Sequence, residues 1–186
     1  FWIYLFTNAH ASSPTALITA VQDTYPLESV LYVLEDKENQ LSFEDIQSPS
    51  FQNQFKLNGP NIFNGGYTRS IYWLKFTTQV SKDTPPDELK WILEIPFPLL
   101  DYLDLYIQKS DGTFNHVRSG DLIPFTDRRL KTTNFSFPVS LEPSFEQDFY
   151  LRVQTRDSMQ VPLTLRTQSA FTESNESRML VQGIYY

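Results

Sequence analysis

Cysteine is absent from this chain of 186 residues. Its absence excludes a disulfide framework, a thiol nucleophile and a zinc–thiolate centre, and leaves the cytoplasm and a bacterial periplasm equally open. Histidine is scarce, with two residues in all. His10 lies in the N-terminal stretch. His116 stands on a predicted strand in alternation with Phe114 and Arg118, where packing or surface exposure is a commoner role than catalysis. Cations are outnumbered: 15 Lys and Arg against 22 Asp and Glu give a formal charge of −7, so the basic stripe of a nucleic-acid footprint is missing. No nucleophile elbow, phosphate loop or metal-ligand cluster stands out as a motif, and there is no internal repeat or low-complexity tract. The expectation is not an enzyme.

Aromatic residues are what the chain has in quantity, 15% of the total, with 15 Phe and 10 Tyr. A disordered chain carries far fewer, and this length suffices for one domain with a real core. Both ends turn apolar. Residues 1–11 run from apolar to small and close on Ala9-His10-Ala11, which fits the end of a signal peptide cleaved after Ala11; a first strand with Trp2, Tyr4 and Phe6 in alternation is the alternative. Residues 12–28 read as a polar lead-in. Residues 179–186 are too short to span a bilayer, which takes about 20 residues. They suit the first turns of a membrane helix, or the end of an ordinary amphipathic one.

Between these ends the pattern is β. Residues 66–80 carry the longest signal, dense in aromatic and β-branched residues from Ile71 onward. Side chains alternate along a strand, so Tyr72, Leu74, Phe76 and Val80 share a face that reads as core. Ile71, Trp73, Lys75 and Thr77 share the other, which mixes a large aromatic with a cation and reads as solvated or ligand-facing. Residues 29–36 read as a strand. Ser42-Phe43-Glu44-Asp45 has capping-box character and starts one helical turn, and residues 48–65 read as loop. Further strands follow. In residues 89–95, Leu89, Trp91, Leu93 and Ile95 point inward and Lys90 and Glu94 outward. In residues 100–107, Leu103, Leu105 and Ile107 point inward and Tyr102, Asp104 and Tyr106 outward. Residues 113–118 return after the Ser110-Asp111-Gly112 turn. The runs 133–141, 149–155 and 161–165 alternate as cleanly, and Ser169 reads as the N-cap of a closing helix over 169–186. Short strands with turn signals every roughly 8–12 residues and almost no helix make an all-β sandwich, in which two sheets bury their apolar faces against one another.

Several stretches also resemble a known family. They are Gly66-Tyr67-Thr68-Arg69-Ser70-Ile71-Tyr72-Trp73-Leu74-Lys75-Phe76, then Leu93-Glu94-Ile95-Pro96-Phe97-Pro98-Leu99-Leu100-Asp101-Tyr102-Leu103-Asp104-Leu105-Tyr106, then Arg118-Ser119-Gly120-Asp121-Leu122-Ile123-Pro124-Phe125. Asn134-Phe135-Ser136-Phe137-Pro138, Phe149-Tyr150-Leu151-Arg152-Val153-Gln154 and Val161-Pro162-Leu163-Thr164-Leu165 extend the likeness. In this order and spacing they resemble the type-two extracellular jelly-roll domain of bacterial seven-transmembrane receptors with diverse intracellular signalling modules. Lys75 departs from the pattern, where arginine is expected; it keeps the charge and loses the planar fork. The resemblance implies a jelly-roll sandwich over residues 29–168, similar to carbohydrate-binding modules. It also implies a periplasmic domain of an inner-membrane protein, joined to the membrane through its C-terminal continuation, with a histidine kinase or diguanylate cyclase type of output beyond it.

A ligand site, on this reading, lies on an outward sheet face. Tyr150, Arg152 and Gln154 form one ladder, joined by Trp73 with Arg69 and by Tyr102, Asp104 and Tyr106 if those strands are neighbours. Aromatic faces stack on sugar rings, and Arg, Asp and Gln bind hydroxyls or carboxylates. Arg128, in a basic loop, is a further clamp for an acidic ligand. The competing reading is a solvated face with ion pairs such as Arg152 to Asp104. Asp101 and Asp104 point to opposite faces and so cannot flank one glycosidic bond. No cofactor is expected; calcium at Glu35-Asp36-Lys37-Glu38-Asn39 is the weaker option, because Lys37 and the lack of glycine count against a defined loop. The expected function is a sensor for a small glycan or acidic ligand, in which Trp73 or Arg152 is essential to binding but not to folding. A docking or homodimerising module without a small ligand, and a secreted carbohydrate-binding module, are the alternatives.

Overall fold

The computed structural model describes residues 14–19, 22–124, 132 and 134–183, with side chains left aside for 86–87 and 176–183. The signal-peptide reading of residues 1–11, and Arg128 with most of its basic loop, lie outside the described residues. In chain order the elements are β1 (Ala16–Ile18), β2 (Thr24–Pro26), β3 (Tyr32–Asp36), α1 (Phe43–Gln47), α2 (Pro49–Gln52), β4 (Lys56–Leu57), β5 (Phe63–Tyr67), β6 (Ile71–Val80), β7 (Lys90–Ile95), β8 (Tyr102–Gln108), β9 (Phe114–Ser119), β10 (Phe135–Ser140), β11 (Glu146–Gln154), β12 (Ser158–Val161), β13 (Thr164–Thr167) and α3 (Gln168–Gly183). Short 3-10 turns occupy Glu28–Val30 and Pro86–Leu89.

Among the described residues the strands form a large sheet in the order β4-β3-β6-β11-β8-β9, with β1 parallel to the end of β6. A smaller sheet has the order β10-β7-β13-β2, and β12 pairs with β5 in a ribbon. The two sheets face each other as the sandwich predicted from alternation. Leu74, Phe76, Leu103, Leu105, Phe149, Leu151 and Val153 from the large sheet meet Trp91, Leu93, Ile95, Phe137, Val139 and Leu165 from the small one in one core. Register explains its centre. Phe149 lies opposite Phe76 on antiparallel strands, and their rings stack with centroids 4.7 Å apart. Each such side chain removed from water contributes about 1.5–3 kcal/mol.

Four local readings need correction. The expected strand 66–80 is two strands. Gly66, at φ 65°, bends the chain, the Ser70 amide donates to Thr68 Oγ1 at 3.0 Å, and β5 leaves to pair with β12. Residues 48–65 are not plain loop but hold α2, which Pro49 opens at a position that lacks an amide partner anyway. Thr167, rather than Ser169, caps α3, since its hydroxyl accepts from the Ala170 amide at 3.2 Å. Glu94 points outward from its sheet yet is 1% exposed, with Arg166 Nε at 3.0 Å and Asn134 Nδ2 donating at 2.7 Å. The capping box at Ser42 is as expected: its hydroxyl accepts from the Asp45 amide while the Asp45 carboxylate accepts from the Ser42 amide.

Candidate ligand-binding face

The outer face of the large sheet is half covered. After the capping box, α1 and α2 lay Ile46, Phe43 and Phe51 across β3, β6 and β11, with Leu41 and Phe55 beside them. Beneath them Leu34, Ile71, Trp73 and Tyr150 form a second core. This overturns the surface reading of Trp73 and Ile71. Alternation identified which face they share, but a covered outer face looks the same as an open one in a strand pattern. Trp73 is 1% exposed, and Tyr150 is buried as well. Lys75 fastens this cover: its ammonium lies 3.1 Å from Asp148, donates to Gln52 Oε1 at 3.0 Å and sits 5.2 Å from the Tyr150 ring centre. Burial lowers the Lys75 pKa, but Asp148 and Tyr150 together outweigh it and hold the group above its ordinary value.

The uncovered half runs along β11, β8 and β9 and is centred on Asp104, whose side chain is 2% exposed. Registers bring its partners side by side: Arg152 lies opposite Asp104 on one flank, and Arg118 on the other. Arg118 Nε donates to Asp104 Oδ1 at 2.8 Å and Nη2 reaches Oδ2 at 3.5 Å, while His116 Nε2 lies 2.9 Å from Oδ1. Arg152 Nη1 reaches Oδ2 at 3.5 Å and its Nη2 donates to Gln154 Oε1 at 3.4 Å. Tyr102 is half-buried opposite Gln154 and close to Arg118. The Arg152–Asp104 ion pair entertained from sequence therefore exists, within a larger cluster of two guanidinium groups and an imidazole around one carboxylate.

Burial acts to raise the Asp104 pKa, but the Arg118 and His116 bonds more than offset it, so the carboxyl titrates below its ordinary 3.8. A folded-state pKa below the unfolded one contributes stability that is complete above about pH 4 and is lost as pH falls through the folded value. Asp104→Asn is therefore expected to cost about 2–3 kcal/mol at pH 7, less than a fully buried pair because Arg118 is largely exposed. The difference from the parent chain should shrink towards pH 3, as followed by urea denaturation at the two pH values.

A ring stack links cover and cluster. Phe43 stacks on Tyr106 (3.9 Å, 4°), and His116 stacks on the other side of Tyr106 (4.5 Å, 7°). Both faces of Tyr106 are occupied, so it supports His116 instead of offering a platform of its own; burial and nearby Asp104 raise its phenol pKa. Of the residues expected at the site, Tyr102, Asp104, Arg152 and Gln154 come together. Tyr106, Trp73 and Tyr150 lie beneath covering side chains. Arg69 is exposed in the break between β5 and β6, where its carbonyl accepts from Asn39 Nδ2 at 3.1 Å. Arg118 and His116 complete the cluster and were missed as site residues. The signal was present: a hairpin turn centred on Asp111 pairs Gln108 with Phe114 and, counting outward, Asp104 with Arg118.

The loop considered for calcium uses its side-chain oxygens in hydrogen bonds to nearby backbone and hydroxyl groups, some of them at the start of β6. Asp36 accepts from the Gln40 and Leu41 amides, Glu35 accepts from the Ser70 hydroxyl, and Asn39 Oδ1 accepts from the Ile71 amide. Among the described residues, no group of three or more His, Cys, Asp or Glu is placed to hold a metal ion. Asp101 turns away from Asp104, accepting from the Arg156 amide at 3.0 Å and from its guanidinium at 3.2 Å.

A family model described as "7TMR-DISM extracellular 2" matches residues 28–167. Among solved structures, one similar chain comes from work on "the promiscuous specificity of the carbohydrate-binding modules from the beta-sandwich super family". It is 14% identical, with a TM-score of 0.30, over 77% of this chain and 54% of the other. The chain thus spans about half the length of that one. No curated protein matches. Among the described residues, no helix is long and apolar enough to cross a membrane.

Proposed function

The chain belongs to the type-two extracellular sensor domains of seven-transmembrane receptors, matched over residues 28–167, and from that membership we propose that it senses a small acidic glycan at the open half of the large sheet. The observation that carries this reading is the Asp104 cluster. Arg118 is 58% exposed and His116 44% exposed on a carboxylate that is itself buried, so the two outer groups are held in place while Arg118 keeps free N–H donors, and His116 its ring edge, toward solvent. Two guanidinium groups against one carboxylate leave a net positive charge, which favours an acidic ligand. Arg offers paired donors to a carboxylate, and the Tyr102 and His116 rings give flat surfaces for a sugar.

The site binds and does not catalyse. Its single buried carboxylate is engaged by cations, and the second carboxylate nearby in sequence, Asp101, is held elsewhere. The domain sits in the periplasm of an inner-membrane receptor, with α3 carrying the response toward the membrane and a kinase or cyclase type of output. For a signal to pass, the ligand must favour one arrangement of domain or dimer over another.

The test is a thermal-shift titration with a uronic acid and its neutral hexose. The uronic acid is expected to stabilise the chain more strongly. Arg118→Ala should weaken its binding about tenfold, in line with loss of a charge-assisted hydrogen bond worth about 1.5 kcal/mol; it should also cost about 1 kcal/mol of stability, because the buried Asp104 loses a cation, so binding is read against the variant's own ligand-free Tm. Equal stabilisation by both sugars in parent and variant would remove this face from consideration. Absence of any stabilisation, with concentration-dependent dimerisation, would favour a docking module instead.

A further inference from the structure

A second concavity lies away from the Asp104 cluster, at the root of α3. It is a cleft of about 280 Å³ walled by β1, the approach to β2, the turn before β7, the start of β7 and the first residues of α3. An adjoining, more open cleft of about 730 Å³ shares Ile18, Thr19, Val80, Thr84 and Glu88 with it, so the inner chamber has an antechamber. The inner volume is just under the about 300–1,000 Å³ typical of drug-sized ligands, which suits a small molecule.

The lining carries both signs of charge. Asp23 and Glu88, both acidic, and Lys90 are among the lining residues, all three exposed, together with Thr167, Ser169 and Trp91. Among the described residues, no ion pair or hydrogen bond engages the side-chain charges of Glu88 or Lys90. The Asp23 carboxylate accepts one bond, from the Thr167 hydroxyl at 3.3 Å. Trp91 is fixed in place, since its indole N–H donates to the Glu88 carbonyl at 2.8 Å and its ring meets Tyr25 edge to face at 5.7 Å.

We propose that this cleft is a separate ligand site for a small α-amino acid. The ligand ammonium faces the Glu88 and Asp23 carboxylates, and its carboxylate faces the Lys90 ammonium. A simple amine satisfies only one half of this lining, and a simple acid only the other; a zwitterion of this size satisfies both. The position gives the site a consequence. The helix α3 packs on β13 and β7, its buried anchor is Phe171, and its first residues Gln168 and Ser169 are part of the cleft wall. An occupant touches the helix where it leaves the sandwich, and biases its placement by as much as the occupant binds one placement better than another.

The experiment is a thermal-shift screen of the 186-residue chain against each of the twenty standard amino acids, with propylamine and propionate as the two half-ligands. At least one amino acid is expected to raise Tm by about 5 °C or more when it reaches a hundredfold its Kd, with little effect from either half-ligand. Lys90→Ala and Glu88→Gln should each weaken that binding about tenfold, and Arg118→Ala should leave it unchanged, which separates this site from the sheet face. The proposal is overturned if no amino acid stabilises the chain at about 10 mM, a concentration that would reveal even millimolar affinity. It is equally overturned if stabilisation survives both cleft substitutions, or if Arg118→Ala removes it.

Discussion

Trp73→Ala is expected to destabilise the domain by about 3–5 kcal/mol, the range for truncating a large buried aromatic. That is a substantial part of the 5–15 kcal/mol that holds a typical domain together. The indole is enclosed by Leu34, Ile71 and Tyr150 from the sheet and by Ile46 and Phe43 from the cover, so its removal leaves a cavity that rigid β backbone on one side cannot close. The damage should extend to the cover, because α1 and α2 are short and hold to the sheet through these contacts. Trp73→Phe provides the contrast. The indole Nε1 is buried and, among the described residues, has no hydrogen-bond partner, so phenylalanine gives up some packing while shedding an unsatisfied donor, and the net cost should stay near 1 kcal/mol. Urea denaturation of both variants reads the difference. If Trp73→Ala kept nearly full stability and lost ligand binding, the indole would belong to the site and the cover would have to open.

The second large effect is expected at Gly120. Its φ of +141° is a conformation that L side chains rarely adopt. The chain leaving β9 there crosses the backbone that leads into β8: the Asp121 amide donates to the Leu100 carbonyl at 2.8 Å and the Leu122 amide to the Asp101 carbonyl at 3.3 Å. A Cβ at position 120 would collide with the Asp101 carbonyl oxygen, and would lie 2.8 Å from its carbon and 2.9 Å from Tyr102 Cα. All of these are backbone atoms, so no side-chain rotation relieves the clash. Gly120→Ala is therefore expected to cost about 3 kcal/mol or more, and to displace the start of β8, which carries Tyr102 and Asp104 into the cluster. Gly112→Ala is the control. It also has a positive φ, 82°, but open space around the added carbon, so only the intrinsic strain of about 1–2 kcal/mol remains. Equal Tm losses in the two variants would show that the crossing is not what Gly120 protects.

Much of the sandwich was legible in the chain itself. The period-two runs in residues 133–141, 149–155 and 161–165 placed Phe137, Val139, Leu151, Val153 and Leu165 in the core, because a strand has no other way to bury one of two alternating faces. The hairpin at Ser110-Asp111-Gly112 was equally plain, since the backbone needs a glycine there. The candidate site was only half legible. Alternation put Tyr102 and Asp104, and Arg152 and Gln154, on the outward sides of their own strands, and the pairing of β8 with β11 joined them. Trp73 and Tyr150 were placed there too, by the same rule, and the rule was right about the face and silent about what covers it.

Local sequence determined which residues pair up across the strand pleat, where the turns fall and which faces are greasy, because each of these follows from backbone geometry within a few residues. Which outward face stays wet was decided only in three dimensions. Residues 41–55 fold back over β3, β6 and the Tyr106, Phe114 and Tyr150 side of β8, β9 and β11 and leave the Asp104, Arg118 and Arg152 side open, and strand order sets Arg118, Asp104 and Arg152 in one row across 48 residues of chain. Such contacts between distant segments have no signature in either segment taken alone, since their energy exists only once both are in place.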